Sequence, residues 1–402
     1  MGRTTVSLDL DRLRAETPGV GERIHLNNAG AGLMPEPVIR AIQAHIDLEA
    51  DVGGYEAADL RRAAIAAVYE QVAALLSAEP HQIALMEHAT AAFVAALSAV
   101  PFRPGDVLLT TRNDYVSNQI QYLSLVERMG VEIVRAPDAP QGGVDAPAMC
   151  DLVHRLRPRL VAMSHVPTSS GLVQDVATVG AACRERDVVF LVDACQSVGQ
   201  MPVDPEAIGA DFLSATARKF LRGPRGAGFL WVGDRALDRG LAPLFPDMRG
   251  ADWIEADLAQ PAPDAVRFES WEFAYALVLG LGASAAYAAS VGIEPIRDRS
   301  WRLAAELRTR LDALPGVRVL DRGPELCAIV AVAVEGWDGA ELVASLREDG
   351  INTSSVSRQV AILDYDDKRV SSALRISPHY YNTDEEIDRA VEALRQRSGS
   401  RP

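Results

Sequence analysis

The chain has 402 residues, 48% hydrophobic and 24% charged, which is enough for a sizeable core and for two or three domains. A formal net charge of −15 argues against nucleic acid as the main partner, because a phosphate backbone needs a basic face. Cys150, Cys183, Cys195 and Cys327 form neither a CxxC pair nor a Cys/His metal spacing, so no metal site is expected and the thiols read as free in a reducing compartment.

In chain order, MGRTTVSLDLDRLR lacks the apolar segment of a signal peptide, which predicts a cytoplasmic protein. EHATAAFVAAL (87–97) reads as the start of an Ala-rich helix. Short apolar runs at 106–111, 131–136, 160–166, 188–194, 211–216 and 228–233 read as strands. Helical patterns at 116–129, 145–157 and 175–186 separate them. Near-continuous apolar strands are covered on both faces, so the alternation predicts a mostly parallel sheet between helices. Long helices are expected at 273–290 and 294–313. The run 276–289 within the first is too short to span a bilayer, which takes about 20 residues, so no membrane partner is expected. A smaller α+β unit closes the chain: strand 327–334, helix 339–350, strand 373–377 and helix 384–397, the last opened by a Thr383/Glu386 capping box. The fold class is α/β, with a large domain at 21–265, a connecting segment and helix at 266–293, and a smaller α+β domain at 294–402. Residues 1–20 are expected to pack on the small domain.

Ligands of open α/β sheets bind beyond the carboxyl ends of the strands. The polar residues there are Asp114, Tyr115, Ser117 and Asn118, then Thr168, then Asp193 and Gln196, then Arg218 and Lys219. His88, Ala89 and Thr90 open the Ala-rich helix. A carboxylate ending a buried strand can hold a heterocyclic nitrogen protonated, and a lysine 26 residues later can form an imine. A helix N-terminus with Thr and Arg side chains can hold a phosphate. Together these meet the needs of pyridoxal 5′-phosphate. Singly, each residue has a plainer reading. Asp193 could be a helix cap, and Lys219 and Arg375 surface charges. His25, His88 and His165 could be satisfied hydrogen-bonding residues. GPRGAG (223–228) lacks the G-x-x-x-x-G-K-[ST] order of a nucleotide loop. Agreement in order and spacing favours the cofactor.

In that order, IHLNNAGAG (24–32), EHATAA (87–92), DYVSN (114–118), SHVPTSSG (164–171), LVDACQSVG (191–199), SATARKFLRGPRGAGFL (214–230), RFE (267–269) and LRISPHYYNTDEEIDRAV (374–391) resemble the class V aminotransferase family of fold-type I pyridoxal-phosphate enzymes, which includes cysteine desulfurases. The resemblance covers nearly the whole chain. It implies that Lys219 carries the cofactor as an imine and that Asp193 pairs with the ring nitrogen. Gln196 approaches the ring hydroxyl or the imine side. Tyr115 stands where desulfurases have a ring-stacking histidine, and Thr168 where they have an asparagine near the ring hydroxyl. Ala89, Thr90, Thr216 and Arg218 stand at phosphate positions. Arg375 stands where the substrate α-carboxylate is bound, with Asn28 a further substrate-side position. A homodimer acting on an amino acid is implied as well.

Three departures bear on the reaction. The segment 351–377, where desulfurases carry a nucleophilic cysteine, contains none, and Cys327 lies in an apolar stretch read as strand. That argues against persulfide formation. Trp271 and Glu272 replace a Gly-Thr pair whose Thr reaches the partner subunit's cofactor phosphate in desulfurases; a carboxylate there would repel the phosphate, so either that contact is lost or Glu272 turns elsewhere, onto an arginine. With the form of the lysine motif, DVGGYEAADL (51–60) resembles the branch of ergothioneine-pathway carbon–sulfur lyases and isopenicillin N epimerase-like proteins. Tyr55 is then a substrate-contact candidate, or the segment is only a glycine hinge between helices. The expected activity is a carbon–sulfur β-lyase on an S-substituted cysteine, thioether or sulfoxide; the alternative is an aminotransferase or epimerase. Arg222 and Arg225 stay open between cofactor edge, dimer partner and an acidic part of the substrate.

Overall fold

The computed structural model describes residues 8–398. Seven strands form the large sheet, in the spatial order Ile83–Met86, Gly228–Val232, Phe212–Thr216, Val189–Asp193, Leu160–Ser164, Val107–Thr110, Glu132–Arg135. Gly228–Val232 runs against both neighbours, and the other six share one direction. The four strands at 160–164, 189–193, 212–216 and 228–232 are buried at every residue, as continuous apolar runs require when helices cover both faces. The flanking helices span Val116–Met129, Ala146–Leu156 and Val176–Glu185. Asp145 and Asp175 cap the last two by accepting from the N–H groups of Ala148 and Thr178.

Tyr275–Val291 is a central helix that owes its close approach to glycine. A Cβ on Gly280 would meet Ile42 Cγ1 at 2.7 Å, and one on Gly282 would meet Val68 Cγ2 at 2.8 Å, so the helices at 36–52 and 62–75 both lie against it. The small domain is a four-stranded antiparallel sheet in the order Val317–Val319, Val330–Val334, Ser372–Ile376, Ser354–Ser357. The helices Ile293–Asp312, Gly339–Glu348 and Asp384–Ser398 accompany it. The Thr383/Glu386 capping box is formed in both directions.

Several elements differ from the sequence reading. Ile83–Met86 is a strand that four residues ahead of a helix did not announce; it pairs with Gly228–Val232. Ala251–Glu255 and Leu258–Pro261 form a mostly exposed hairpin with no core-facing alternation to reveal it. Cys327 is buried but precedes its strand, which starts at Val330; its N–H donates to Gly171 O at 2.7 Å. Residues 1–7 lie outside the described residues. Beyond them, Leu13 joins the core of the large domain, while Arg14 donates to Tyr381 O and Glu386 Oε1, both at 2.9 Å. Among the described residues, no single helix is long and apolar enough to cross a membrane.

Candidate active site

A cavity of about 390 Å³ opens at the carboxyl ends of the parallel strands. Lys219 lies at its base, on the turn that follows Phe212–Thr216, and is only 7% exposed. Burial lowers its pKa, while the Cys195 thiol and Asp193 pull it back up. Its Nζ lies 5.9 Å from the centroid of the Tyr115 ring and makes no ion pair among the described residues. Close packing places the loop. Gly32 donates its N–H to Arg218 O at 2.8 Å, and a Cβ there would meet Lys219 O at 2.6 Å. Gly199, at φ +89°, lies against Phe220 and Leu221, where any Cβ would collide with backbone. Thus the glycines of IHLNNAGAG and LVDACQSVG both press on the lysine turn.

Asp193 ends its strand inside the cavity, buried, with Oδ1 accepting from Cys195 N at 3.0 Å and Oδ2 from Asn118 Nδ2 at 3.2 Å. Thr168 Oγ1 accepts from Gln196 Nε2 at 3.1 Å and from an Arg375 Nη1 at 2.9 Å. Both hydroxyl lone pairs are therefore used, and its O–H is left to donate. Gln196 Oε1 is buried without a hydrogen-bond partner among the described residues. Ala89 and Thr90 line the wall at the start of the helix Ala89–Ser98, where N–H groups have no intrahelical acceptor, and Thr216 adds a hydroxyl. Gly228 keeps this corner open: a Cβ would meet Ala215 O at 2.6 Å and Ala89 N at 3.2 Å. Arg218 and Arg225 also line the cavity, and an Arg218 Nη1 donates to Gly30 O. Burial lowers the Arg218 pKa, and Arg225 adds to this.

An amine, a strand-end carboxylate, a helix N-terminus with two threonines, a convergence of arginines and an orphaned amide oxygen together fit a phosphorylated pyridine aldehyde. Ten of the twelve sequence candidates are in or beside the cavity. Arg375 reaches it through Thr168. Two are not brought there. Asn28 is fully buried behind it, donating to Ser377 O at 2.8 Å and accepting from Tyr381 OH at 2.6 Å. Tyr55 is 74% exposed on the helix Gly54–Leu60, and Gly53, at φ +99°, is the hinge before it.

Arg222 is neither at the cofactor edge nor at a surface. It is 1% exposed, donates to Leu33 O at 2.7 Å and Thr17 Oγ1 at 2.6 Å, and stands over the Tyr381 and Tyr380 rings at 4.4 and 5.2 Å. Glu272 is exposed and makes no ion pair among the described residues; the preceding carboxylate, Glu269, is the buried one. Asn118, Ser164, His88, Val166, Cys195 and Gly226 complete the lining. Asn118 had been visible only as one polar residue after a strand; its reach to Asp193 spans 75 positions of sequence.

This fold and this cavity, lined by a buried lysine, define a candidate cofactor site on the open end of an α/β sheet. Residues 24–390 match the family described as Aminotransferase class-V, and the chain belongs to that family of pyridoxal-phosphate enzymes. It is 30% identical over 410 residues to a probable cysteine desulfurase of Xylella fastidiosa, covering 96% of this chain and 95% of the relative. It is 29% identical over 386 residues to a probable hercynylcysteine sulfoxide lyase of Mycobacterium tuberculosis, covering 96% and 92%. Among solved structures, the cysteine desulfurase of Thermococcus onnurineus shares the fold, with a TM-score of 0.88, 22% identity, and coverage of 99% and 100%.

Proposed function

We propose that the protein is a carbon–sulfur β-lyase that cleaves an S-substituted cysteine, thioether or sulfoxide. The relatives carry two sulfur chemistries in their names, desulfurase and sulfoxide lyase, and the chain's own thiols favour the second. The observation that carries this reading is the segment 351–377. It contributes the edge strand Ser354–Ser357, the helix Ile362–Lys368 and the strand bearing Arg375, and holds no cysteine. Cys195 does line the cavity, but burial and Asp193 hold its thiol well above its ordinary pKa. Burial pushes the Cys327 thiol up to about 12. A persulfide carrier needs a thiolate that can move between substrate and acceptor, and neither cysteine supplies one.

In this reading Lys219 would hold the cofactor at its aldehyde and Asp193 would pair with its ring nitrogen. Tyr115 would stack on the ring, and Thr168 and Gln196 would serve the ring oxygen. Ala89, Thr90, Thr216 and Arg218 would hold the phosphate, and Arg375 would bind the substrate α-carboxylate. When bound, pyridoxal phosphate supplies the electron sink that acidifies the substrate α-carbon. Lys219 Nζ, free once the substrate amine has taken its place, would then take the α-proton. The Cβ–S bond breaks with its electron pair on sulfur, and that sulfur leaves as a thiol or sulfenic acid after gaining a proton. Addition of one water to the three-carbon remainder gives pyruvate and ammonia. Exposed Phe245, Met248 and Trp253 support a homodimer as part of the same reading.

The test is a panel of cysteine thioethers and sulfoxides incubated with the holoenzyme, scored for pyruvate and for pyridoxamine phosphate. Pyruvate equal to released sulfur product supports the lyase. Pyridoxamine phosphate without pyruvate would make the enzyme an aminotransferase, and inversion at the α-carbon without either would make it an epimerase.

A further inference from the structure

The site reading leaves one buried carboxylate unused. Asp114 sits between the strand Val107–Thr110 and the helix Val116–Met129, at 9% exposure. Six donors converge on it. Oδ1 accepts from Ser164 Oγ at 2.6 Å, Tyr115 N at 2.7 Å and Asn118 Nδ2 at 3.1 Å. Oδ2 accepts from Tyr122 OH at 3.0 Å, Thr110 Oγ1 at 3.1 Å and Gln119 Nε2 at 3.2 Å.

Two of these contacts lead into the cavity. The Asn118 amide has two N–H groups on one nitrogen, and that nitrogen is within hydrogen-bonding distance of both Asp114 Oδ1 and Asp193 Oδ2. The Tyr115 N–H is held between Asp114 Oδ1 and Ser164 Oγ, the latter at 3.1 Å. One carboxylate thus holds both the backbone of Tyr115 and, through Asn118, the side chain of Asp193. It also ties together the ends of three adjacent strands, 107–110, 160–164 and 189–193. None of these six donors carries a positive charge, and Asp193 acts on Asp114 as a second negative charge. Burial raises the Asp114 pKa, and the Ser164 and Asn118 hydrogen bonds oppose that.

We propose that Asp114 is a positioning residue for the cofactor, acting through Asn118 on Asp193 and through the backbone of Tyr115. An anion placed behind the amide favours positive charge in front of Asp193, where a protonated ring nitrogen would lie. This rests on the reading that Asp193 faces that nitrogen.

The experiment measures the pyridoxal-phosphate dissociation constant of the apoprotein and the absorption band of the bound cofactor at fixed pH, in Asp114→Asn, Asn118→Ala, Asp193→Asn and the Asn118→Ala/Asp193→Asn double variant. Loss of one hydrogen bond to a charged group predicts a dissociation constant raised about tenfold in Asp114→Asn and in Asn118→Ala. The band is expected to move in the same direction as in Asp193→Asn, and the double variant to match Asp193→Asn alone. If Asp114→Asn does not fold, Asn118→Ala carries the test, because it leaves five of the six Asp114 contacts in place. Wild-type affinity and an unmoved band in Asn118→Ala, with only the melting temperature lowered, would overturn the proposal. Borohydride reduction of the wild-type holoenzyme separates the two levels. Label on a residue other than Lys219 overturns the site reading and this proposal together; label on Lys219 with an unmoved band overturns this proposal alone.

Discussion

Arg375 and Arg222 are both buried guanidiniums with no carboxylate partner among the described residues, and replacing each with methionine should have opposite consequences. Burial pulls the Arg375 pKa from 12.5 down to about 10. That gap corresponds to roughly 3 kcal/mol held against the folded, ligand-free protein. A base with a depressed folded pKa binds fewer protons folded than unfolded only between those two values. The cost is therefore in full force, and constant, at every pH below about 10. Against it stand three hydrogen bonds, to Ser354 Oγ at 3.1 Å, Thr168 O at 3.0 Å and Thr168 Oγ1 at 2.9 Å. Each is worth about 1 kcal/mol, so the two sides nearly cancel. Arg375→Met should therefore shift the melting temperature of the ligand-free protein by no more than about 2 °C, a chain this long moving about 1 °C per kcal/mol. On the proposed reading the same change also removes the group that would bind the substrate carboxylate, and kcat/KM should fall roughly 10²–10³-fold. Differential scanning calorimetry and steady-state kinetics on one preparation read both. A melting temperature lowered by more than about 5 °C with kcat/KM within threefold of wild type would show Arg375 to be structural and refute the reasoning.

Arg222→Met is expected to lower stability by roughly 3–5 kcal/mol, seen in urea or thermal unfolding, because the cation's aromatic and hydrogen-bonding partners are left unmatched. Glu269 is buried, accepts from Tyr69 OH and Leu85 N, and has its pKa raised by burial to about 7. A carboxyl with a raised folded pKa binds more protons folded than unfolded, so it loses stability as pH rises from 4.5 to 7. The stability of wild type relative to Glu269→Gln should accordingly fall by about 3 kcal/mol across that window, measured by urea titrations at each pH. A flat difference would remove burial as the cause. Cys195→Ala should keep pyruvate formation within about threefold of wild type, since a thiol held up by burial does little at neutral pH; complete loss of turnover would return a cysteine to the mechanism.

The readable parts of this chain were those whose physics is local. VVFLVD and DFLSAT are continuous apolar runs, so their burial and the polar residues that end them, Asp193 and Thr216, stand out in sequence. The helix bounds followed from periodicity, and that of the last helix from the Thr383/Glu386 capping box. What was hidden depends on distant packing. Arg222 reads as a loop charge until Tyr380 and Tyr381, nearly 160 residues on, are placed beneath it. Asn118 and Asp114 read as polar turn residues until two neighbouring strands bring Ser164 and Asp193 beside them. Tyr55 drew attention by its motif, yet the fold leaves it in solvent, because a hinge at Gly53 starts a new helix instead of turning the chain inward.

The central claim is that this site eliminates sulfur from the β-carbon and does not pass it to a protein thiol. Its most direct measurement is product analysis after incubating the purified holoenzyme with an S-substituted cysteine and, separately, with cysteine. Pyruvate, ammonia and a thiol or sulfenate in equal amounts from the substituted substrate are the predicted result. Alanine from cysteine, with a persulfide recovered on one of the four cysteines, would contradict it.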